Sequence, residues 1–459
     1  MIDLHFERAH PPHTSTHFRV QNNTPMGTLD TETLTFPEEP VGIPASEGFG
    51  YLEVDIGDTI GPEMRYRIVR KLGFGRSSTV WMAYDNGSTQ ESTARKYVVI
   101  KILTAFATRM SEQGSMLEKT ISAQLANPLH LRGEPRVPAR PSRRRVYCLF
   151  PYGSFVQTNP VTSENHLCFL LNPAGPNLNA IRHRFPEAKI PLPLVKRIVT
   201  DTVAALYYLH RTADVVHTDL KADNILLEST LTDAEIADII RSDPPQHYPV
   251  MKVLGRDIKP VISQSLSFPI DKGKFMLADY SHAQMPAFNI LTPRITNYIS
   301  PEPLRAPETV LGINWGEGVD IWALGCLIFQ LITGKQLFRP TEDPSKRWSK
   351  DEDHLLQMLQ ITGQRFSDSS IMSVKLKRYL ALTGPDDFYP HFLFDSFFPD
   401  YRHISMIDRL RQEVNIIPGS ESDQELQKAT DFIEGCLHLD KDQRYGVVRL
   451  LYHDWIRKK

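Results

Sequence analysis

Cysteine is scarce in this sequence. Four residues in 459, Cys148, Cys168, Cys326 and Cys436, lie far apart with no CxxC spacing. That excludes a disulfide-stapled scaffold and a zinc module, and it points to buried thiols in a reducing compartment. An excess of one charge sign is lacking too. Fifty-two Lys and Arg stand against 54 Asp and Glu, a formal net charge of −2. This argues against a protein-wide affinity for nucleic acid or for an anionic membrane. Long apolar runs are absent: the longest, Ile321 to Thr333, is interrupted by Gln330 and is too short to span a bilayer, so it reads as a buried core helix. The opening MIDLHFERAH carries acids and has no apolar h-region, so no secretory signal is expected. No internal repeat is evident. What is present is 41% hydrophobic residues, enough for a sizeable core, in a length that suits one large two-lobed domain or two to three ordinary ones.

Residues 1–50 are rich in Pro, Thr, His and Glu without a sustained period, and are expected to be a poorly ordered extension. From Tyr66 the pattern changes. Tyr66 to Leu72, Ser78 to Ala83 and Tyr97 to Leu103 are β-branched and aromatic runs between Gly/Ser/Asn breaks, which predicts an antiparallel sheet. A helix is predicted over Met116 to Leu125, where Leu117, Ile121 and Leu125 recur every four residues. After Pro176 the chain reads as mainly helical, most clearly over Leu194 to His210 and Asp320 to Thr333. Two polar, Pro-bearing stretches, about 228–274 and 338–425, read as insertions.

Leu72-Gly73-Phe74-Gly75-Arg76-Ser77-Ser78-Thr79-Val80 falls between two predicted strands. Glycines in such a turn let backbone N–H groups approach phosphate oxygens without a Cβ in the way, although an ordinary Gly-containing hairpin reads the same. Val98-Val99-Ile100-Lys101 then ends a strand about twenty-five residues on, where a lysine can reach α- and β-phosphates as a point charge. It would need a carboxylate partner. Glu118 shares the stripe of Ile121 and Leu125 and so faces the sheet; Glu112 is the weaker candidate.

The strongest signal is Val215-Val216-His217-Thr218-Asp219-Leu220-Lys221-Ala222-Asp223-Asn224-Ile225-Leu226-Leu227, a polar loop between two apolar strands. Such a loop can present Asp219 to a hydroxyl proton, Lys221 to a γ-phosphate and the amide oxygen of Asn224 to a metal. Phe275-Met276-Leu277-Ala278-Asp279 is an apolar strand ending in an acid suited to Mg²⁺, a hard cation that prefers one or two carboxylates plus substrate phosphates. His217 reads as structural. Jointly, and in this order, these residues point to ATP and Mg²⁺ and to phosphoryl transfer.

Over about residues 60–456 the sequence resembles the protein-kinase family. Arg305-Ala306-Pro307-Glu308 is similar to its Ala-Pro-Glu motif, and Asp440 to Tyr445 to the segment whose arginine pairs with that glutamate, which implies a buried Glu308–Arg444 ion pair. Gly73–Trp81, His217–Lys221, Pro301–Glu308 and Asp351–Leu355 resemble the SR-protein kinases in particular, especially their compact fungal members, and Thr218 stands where most kinases have arginine. The resemblance implies an α+β bilobal fold: a small N-lobe over 60–171 with an antiparallel sheet and one helix, then a hinge and larger, mainly helical C-lobe over 172–459. It makes Leu171 the residue gating the nucleotide pocket, with Asn172-Pro173-Ala174 the backbone that meets adenine.

It further implies a serine/threonine kinase acting on protein substrates, among them Arg/Ser-rich ones, expected to be monomeric and to reside in cytoplasm and nucleus. A pseudokinase scaffold is the alternative from another class; loss of Lys101, Asp219, Asn224 or Asp279 would favour it, and none is lost. There are departures. Ser78 replaces the third glycine of the turn, Asn172 the hinge acid, and Asp279-Tyr280-Ser281 the usual Asp-Phe-Gly, so Ser281 must take a glycine's backbone angles with a Cβ. The acidic run Asp351-Glu352-Asp353 reads either as a helix cap or, by the resemblance, as part of a groove for basic substrates, with Gln360 where a second groove acid is expected. Thr218 cannot pair with a phosphate, so the segment Asp279–Glu308 is expected to need no phosphorylation at Thr292, Thr296, Tyr298 or Ser300.

Overall fold

The computed structural model describes residues 16–21, 31–87, 95–128, 146–285, 299–342, 349–364, 403–414 and 419–457. The strands are β1 (Thr16–Gln21), β2 (Thr31–Phe36), β3 (Thr59–Ile60), β4 (Tyr66–Gly75), β5 (Ser78–Asp85), β6 (Tyr97–Leu103), β7 (Gly153–Thr158), β8 (Asn165–Leu171), β9 (Ala174–Asn177), β10 (Ile225–Glu228), β11 (Met251–Val253), β12 (Arg256–Ile258) and β13 (Phe275–Leu277). The α-helices are α1 (Ala105–Glu112), α2 (Glu118–Ala126), α3 (Leu178–Arg182), α4 (Leu192–Tyr208), α5 (Asp233–Ser242), α6 (Pro307–Val310), α7 (Gly318–Thr333), α8 (Lys350–Thr362), α9 (Met406–Val414), α10 (Glu421–Cys436) and α11 (Val447–Leu451).

The chain divides into two compact units. The first comprises Met1–Met116, Phe150–Pro176 and Glu228–Gly273. Its sheet has the order β3-β4-β5-β6-β8-β7, with neighbouring strands antiparallel. Central β6, Tyr-Val-Val-Ile-Lys-Ile-Leu, is buried on both faces, whereas edge strand β7 alternates between half-buried and exposed residues. That difference is what position in a sheet imposes on sequence. Ile60, Ile68, Trp81, Ile100 and Cys168 of the sheet form the core, joined by Leu52 from before the sheet and by Val261 from the later insertion.

The expectation of a poorly ordered extension over residues 1–50 is corrected for its described part. β1 and β2 pair antiparallel. Phe36, Val41, Ile43, Phe49 and Tyr51 then close a second core with Val253 and Ile258 of the insertion. Charged contacts fasten the same segments to β4. Lys71, 1% exposed, bonds Glu39, Glu38 at 3.2 Å and the carbonyl of Val261 at 3.1 Å. Arg70 bonds the Asp243 carboxylate and donates to the carbonyls of Asp243 at 2.7 Å and Gln264 at 2.9 Å. The insertion therefore belongs to the sheet unit; it was expected within the C-lobe range 172–459.

The second unit comprises Leu117–Leu149, Asn177–Leu227 and Lys274–Lys459. Helix α7 is buried almost all round, as its apolar sequence requires. Gly325 lets α10 approach it: a Cβ there would meet the Cys436 Cβ at 2.8 Å. Helix α2 joins this unit, not the 60–171 lobe expected for it, because Gln124 donates to the Ala213 carbonyl at 2.8 Å and Tyr208 to the Leu125 carbonyl at 2.6 Å. The Glu308–Arg444 pair is present, bidentate at 2.7 and 3.0 Å and fully buried, with the guanidinium also donating to Gly318 O and His438 O. Breaking such a pair leaves one charge buried and costs about 3–5 kcal/mol. Of the second insertion, residues 343–348, 365–402 and 415–418 lie outside the described residues.

Candidate active site

Sheet register lines up the phosphate-turn candidates. Gly73 lies opposite Val80, Val80 opposite Lys101, and Lys101 opposite Phe169. A bulge falls at Leu72, between the pairs Lys71↔Trp81 and Gly73↔Val80. Neither Gly73 nor Gly75 has a positive φ, and a Cβ added at either would meet no protein atom. The fold itself therefore does not demand glycine there; an approaching ligand would. Leu72, Val80, Leu171 and Ala174 are half-buried and Asn172 is exposed, while Lys71, Thr79, Trp81, Leu170, Pro173 and Gly175 beside them are buried. Apolar side chains left half-covered in this way suit an aromatic base. Gly175, next to Ala174, is held by the insertion: a Cβ would sit 2.3 Å from the Phe268 ring.

Lys101 is 8% exposed at the heart of β6. Glu118 opens α2 and is 2% exposed, while Glu112 ends α1 exposed to solvent. Of the two carboxylate candidates, Glu118 is the buried one. They belong to different units, as do Lys101 and Glu118.

In the second unit the loop after α4 is pinned from below by one acid. Asp320, at the head of α7, accepts the backbone N–H of His217 at 2.8 Å, that of Thr218 at 2.8 Å, and the His210 ring at 2.8 Å. Burial pushes the Asp320 carboxyl up; the contacts with His210 and His217 outweigh this and hold it below the usual carboxylate range. The pinned loop presents Asp219, whose Oδ2 accepts from Lys221 Nζ at 2.5 Å and Asn224 Nδ2 at 2.9 Å. Asn224 Nδ2 also donates to the Asp219 carbonyl at 2.8 Å, which fixes the amide and leaves its Oδ1 as the atom for a cation. His217 is structural as expected: its ring reaches the Ala278 carbonyl at 3.0 Å and lies edge-on to Tyr280.

Asn224 and Asp279 come together through the ladder of β10 with β13, extended by Ala278 N donating to Asn224 O at 2.8 Å. The expected strain at Ser281 does not occur. The left-handed residue of the turn is Asp279, φ 63°, a residue type that tolerates αL, and Ser281 stays out of that region. Tyr280 is buried, with its hydroxyl donating to Leu277 O at 2.8 Å. A carboxylate and an amide oxygen form a hard donor set that fits Mg²⁺ completed by phosphate oxygens.

Of the acidic run, Glu352 forms a cap and Asp353 ties Thr341 to the helix. Ser349 and Glu352 close a capping box at the start of α8, and Asp353 Oδ2 accepts from Thr341 N at 2.7 Å and Gln357 Nε2 at 2.8 Å.

The sequence matches the protein kinase domain family over residues 154–456, well over half of the chain. The chain belongs to the protein kinase family. The kinase is 27% identical over 372 residues to the serine/threonine-protein kinase SRPK of Physarum polycephalum, covering 76% of this chain and 78% of that one. It is 25% identical to protein kinase dsk1 of Schizosaccharomyces pombe, covering 68% of each, and 22% identical to serine/threonine-protein kinase AFC3 of Arabidopsis thaliana, covering 89% and 85%. A crystal structure of a kinase domain superposes with a TM-score of 0.57 at 18% identity, over 89% of this chain and 99% of that one, a likeness of fold. The enzyme class is protein serine/threonine kinase, with proteins as substrates. One residue of this kinase's site was not read from sequence as functional: Asp320 was visible only as an acid heading an otherwise apolar helix.

Proposed function

We propose that this kinase is catalytically active and transfers the γ-phosphoryl group of ATP to Ser or Thr of basic, Arg/Ser-rich proteins. The observation that carries the reading is the Asp219–Lys221–Asn224 cluster, tied together through Asp219 Oδ2 on a loop whose backbone is held by Asp320. Asp219 is the group to orient and accept the acceptor hydroxyl's proton. Lys221 and Lys101 supply positive charge to phosphate oxygens, and Leu72, Val80, Leu171 and the Asn172–Ala174 backbone are offered to the base. Asn224 and Asp279 would hold Mg²⁺, which when bound neutralises charge on the phosphates. Positioning and charge neutralisation are nearly all that phosphoryl transfer asks of a protein.

The Arg/Ser preference rests on the motif resemblance and on the likeness to SRPK and dsk1. The acidic run adds little, since Glu352 is engaged in the helix cap and Asp353 by Thr341 N and Gln357 Nε2. Docking of arginine should accordingly be weak and only shallowly dependent on salt. Four buried cysteines, none of them in a disulfide, fit the expected cytoplasmic and nuclear location. The test is kcat/KM on an Arg-Ser repeat peptide and on a Ser-Pro peptide at low salt. The reading predicts faster phosphorylation of the Arg-Ser peptide; equal values would refute the substrate class.

A further inference from the structure

Two consecutive carbonyls at the tip of the phosphate turn converge on one side chain from outside the sheet. Tyr51 is 5% exposed, its ring set in the core formed with Phe49, Val253 and Ile258. Its hydroxyl lies 2.8 Å from the Gly75 carbonyl and 2.9 Å from the Arg76 carbonyl. A phenol has one proton, so the two acceptors share it. Burial pushes the phenol far above its ordinary range, and it stays a donor at any working pH.

The consequence follows from the planar trans peptide, in which N–H and C=O point in opposite directions. Drawing the Gly75 carbonyl to Tyr51 turns the Arg76 N–H away from it; drawing the Arg76 carbonyl likewise turns the Ser77 N–H away. Both donors of the tip are thereby aimed off the Tyr51 side, and neither the Gly75 nor the Arg76 carbonyl is left to rotate into the space of an anion; the Ser77 carbonyl is held separately, by Thr104 N at 2.9 Å. The turn needs such help. Gly75 pairs with Ser78 across a two-residue connection, and neither Arg76 nor Ser77 takes a positive φ. Two-residue hairpins whose twist matches their strands require positive φ, so this one is not held by its own geometry. A second tether, Lys71 to Glu38 and Glu39, comes from the same N-terminal segment and fixes the strand entering the turn.

We infer that Tyr51 is a positioning residue for nucleotide phosphates, acting through the Gly75 and Arg76 carbonyls to hold the turn with its N–H groups presented. The inference deepens the active-kinase reading and rests on it for turnover. Tyr51→Phe deletes the hydroxyl and keeps the ring in its core. In the full chain, KM for ATP and Kd for Mg·ADP, the latter by calorimetry, should both rise about threefold to tenfold, the loss of one net hydrogen bond. KM for the peptide and the midpoint of thermal unfolding should stay near wild type. Unchanged ADP affinity would overturn the inference. So would a fall in affinity that merely follows a lowered melting point, since that would reduce Tyr51 to a core residue. Calorimetry needs no turnover: a wild-type chain that binds ADP but transfers nothing would defeat the active-kinase reading and still leave the Tyr51 comparison decisive.

Discussion

His354 shows how one side chain can carry a pH dependence without touching the reaction. Its ring lies 5.3 Å from that of Phe338, which stacks on Trp322 of α7. It is 1% exposed, and its Nε2 has no hydrogen-bond partner among the described residues. Burial, helped by the Arg305 guanidinium, pushes its pKa down to about 3. The unfolded chain takes up this proton near pH 6.5 and the folded chain does not. The stabilisation is therefore complete above about 6.5 and is lost progressively as the pH falls towards 3. Between pH 7 and pH 5 this group alone should remove about 2 kcal/mol of stability. Urea unfolding of wild type and His354→Leu at both pH values checks it: the variant should lack that increment. Equal acid sensitivity in the two proteins would show that the imidazole protonates while folded.

The segment from Asp279 to Glu308 is anchored at both ends to one neutral residue. Thr218 Oγ1 donates to the His282 carbonyl at 2.7 Å, and Ser300 Oγ donates to the Thr218 carbonyl at 2.6 Å. Thr218 itself is left-handed, φ 64°, with its N–H on Asp320 at 2.8 Å. Where an arginine would need a phosphate to bridge to, this threonine uses its own hydroxyl and backbone. Thr292, Thr296 and Tyr298 lie outside the described residues. Activity should accordingly survive phosphatase treatment: kcat of protein shown by mass spectrometry to be unmodified should match that of untreated protein. A drop of about tenfold, restored by rephosphorylation within the segment, would contradict this. Elements of this kind differ in how far sequence betrays them. Helix α7 was legible because its apolar run is buried by its own length, and α2 because Ile121 and Leu125 repeat at helical spacing; both were found within a few residues. The Thr218 anchors were not, because they join residues 64 and 82 positions apart and leave no periodic trace.

Over the whole chain, the order of Gly turn, Lys101, Asp219, Asn224 and Asp279 gave away the fold, since their spacing is set by the strands and helices that carry them. Which pieces group together was less visible. The segment from Phe36 to Leu52 looked irregular because its apolar residues are seated singly against Val253, Ile258 and the sheet, at separations of about two hundred residues. The insertion over 228–274 looked like added bulk because its anchors, Asp243 and Gln264, are polar groups whose partner is a buried Arg70. Both pieces serve the unit that carries the phosphate turn, while Asp219, Asn224 and Asp279 reside in the other. The central claim is that this constellation transfers phosphate. It is tested most directly by single-turnover transfer from radiolabelled ATP to an Arg-Ser peptide by wild type and Asp219→Asn, with ADP affinity measured alongside. The account predicts transfer by wild type, a loss of at least about 10²-fold in the variant, and nearly equal ADP affinity, because Asp219 serves the acceptor hydroxyl and not the base. Equal transfer rates in the two proteins, or no transfer by a wild-type chain that binds ADP, would contradict it.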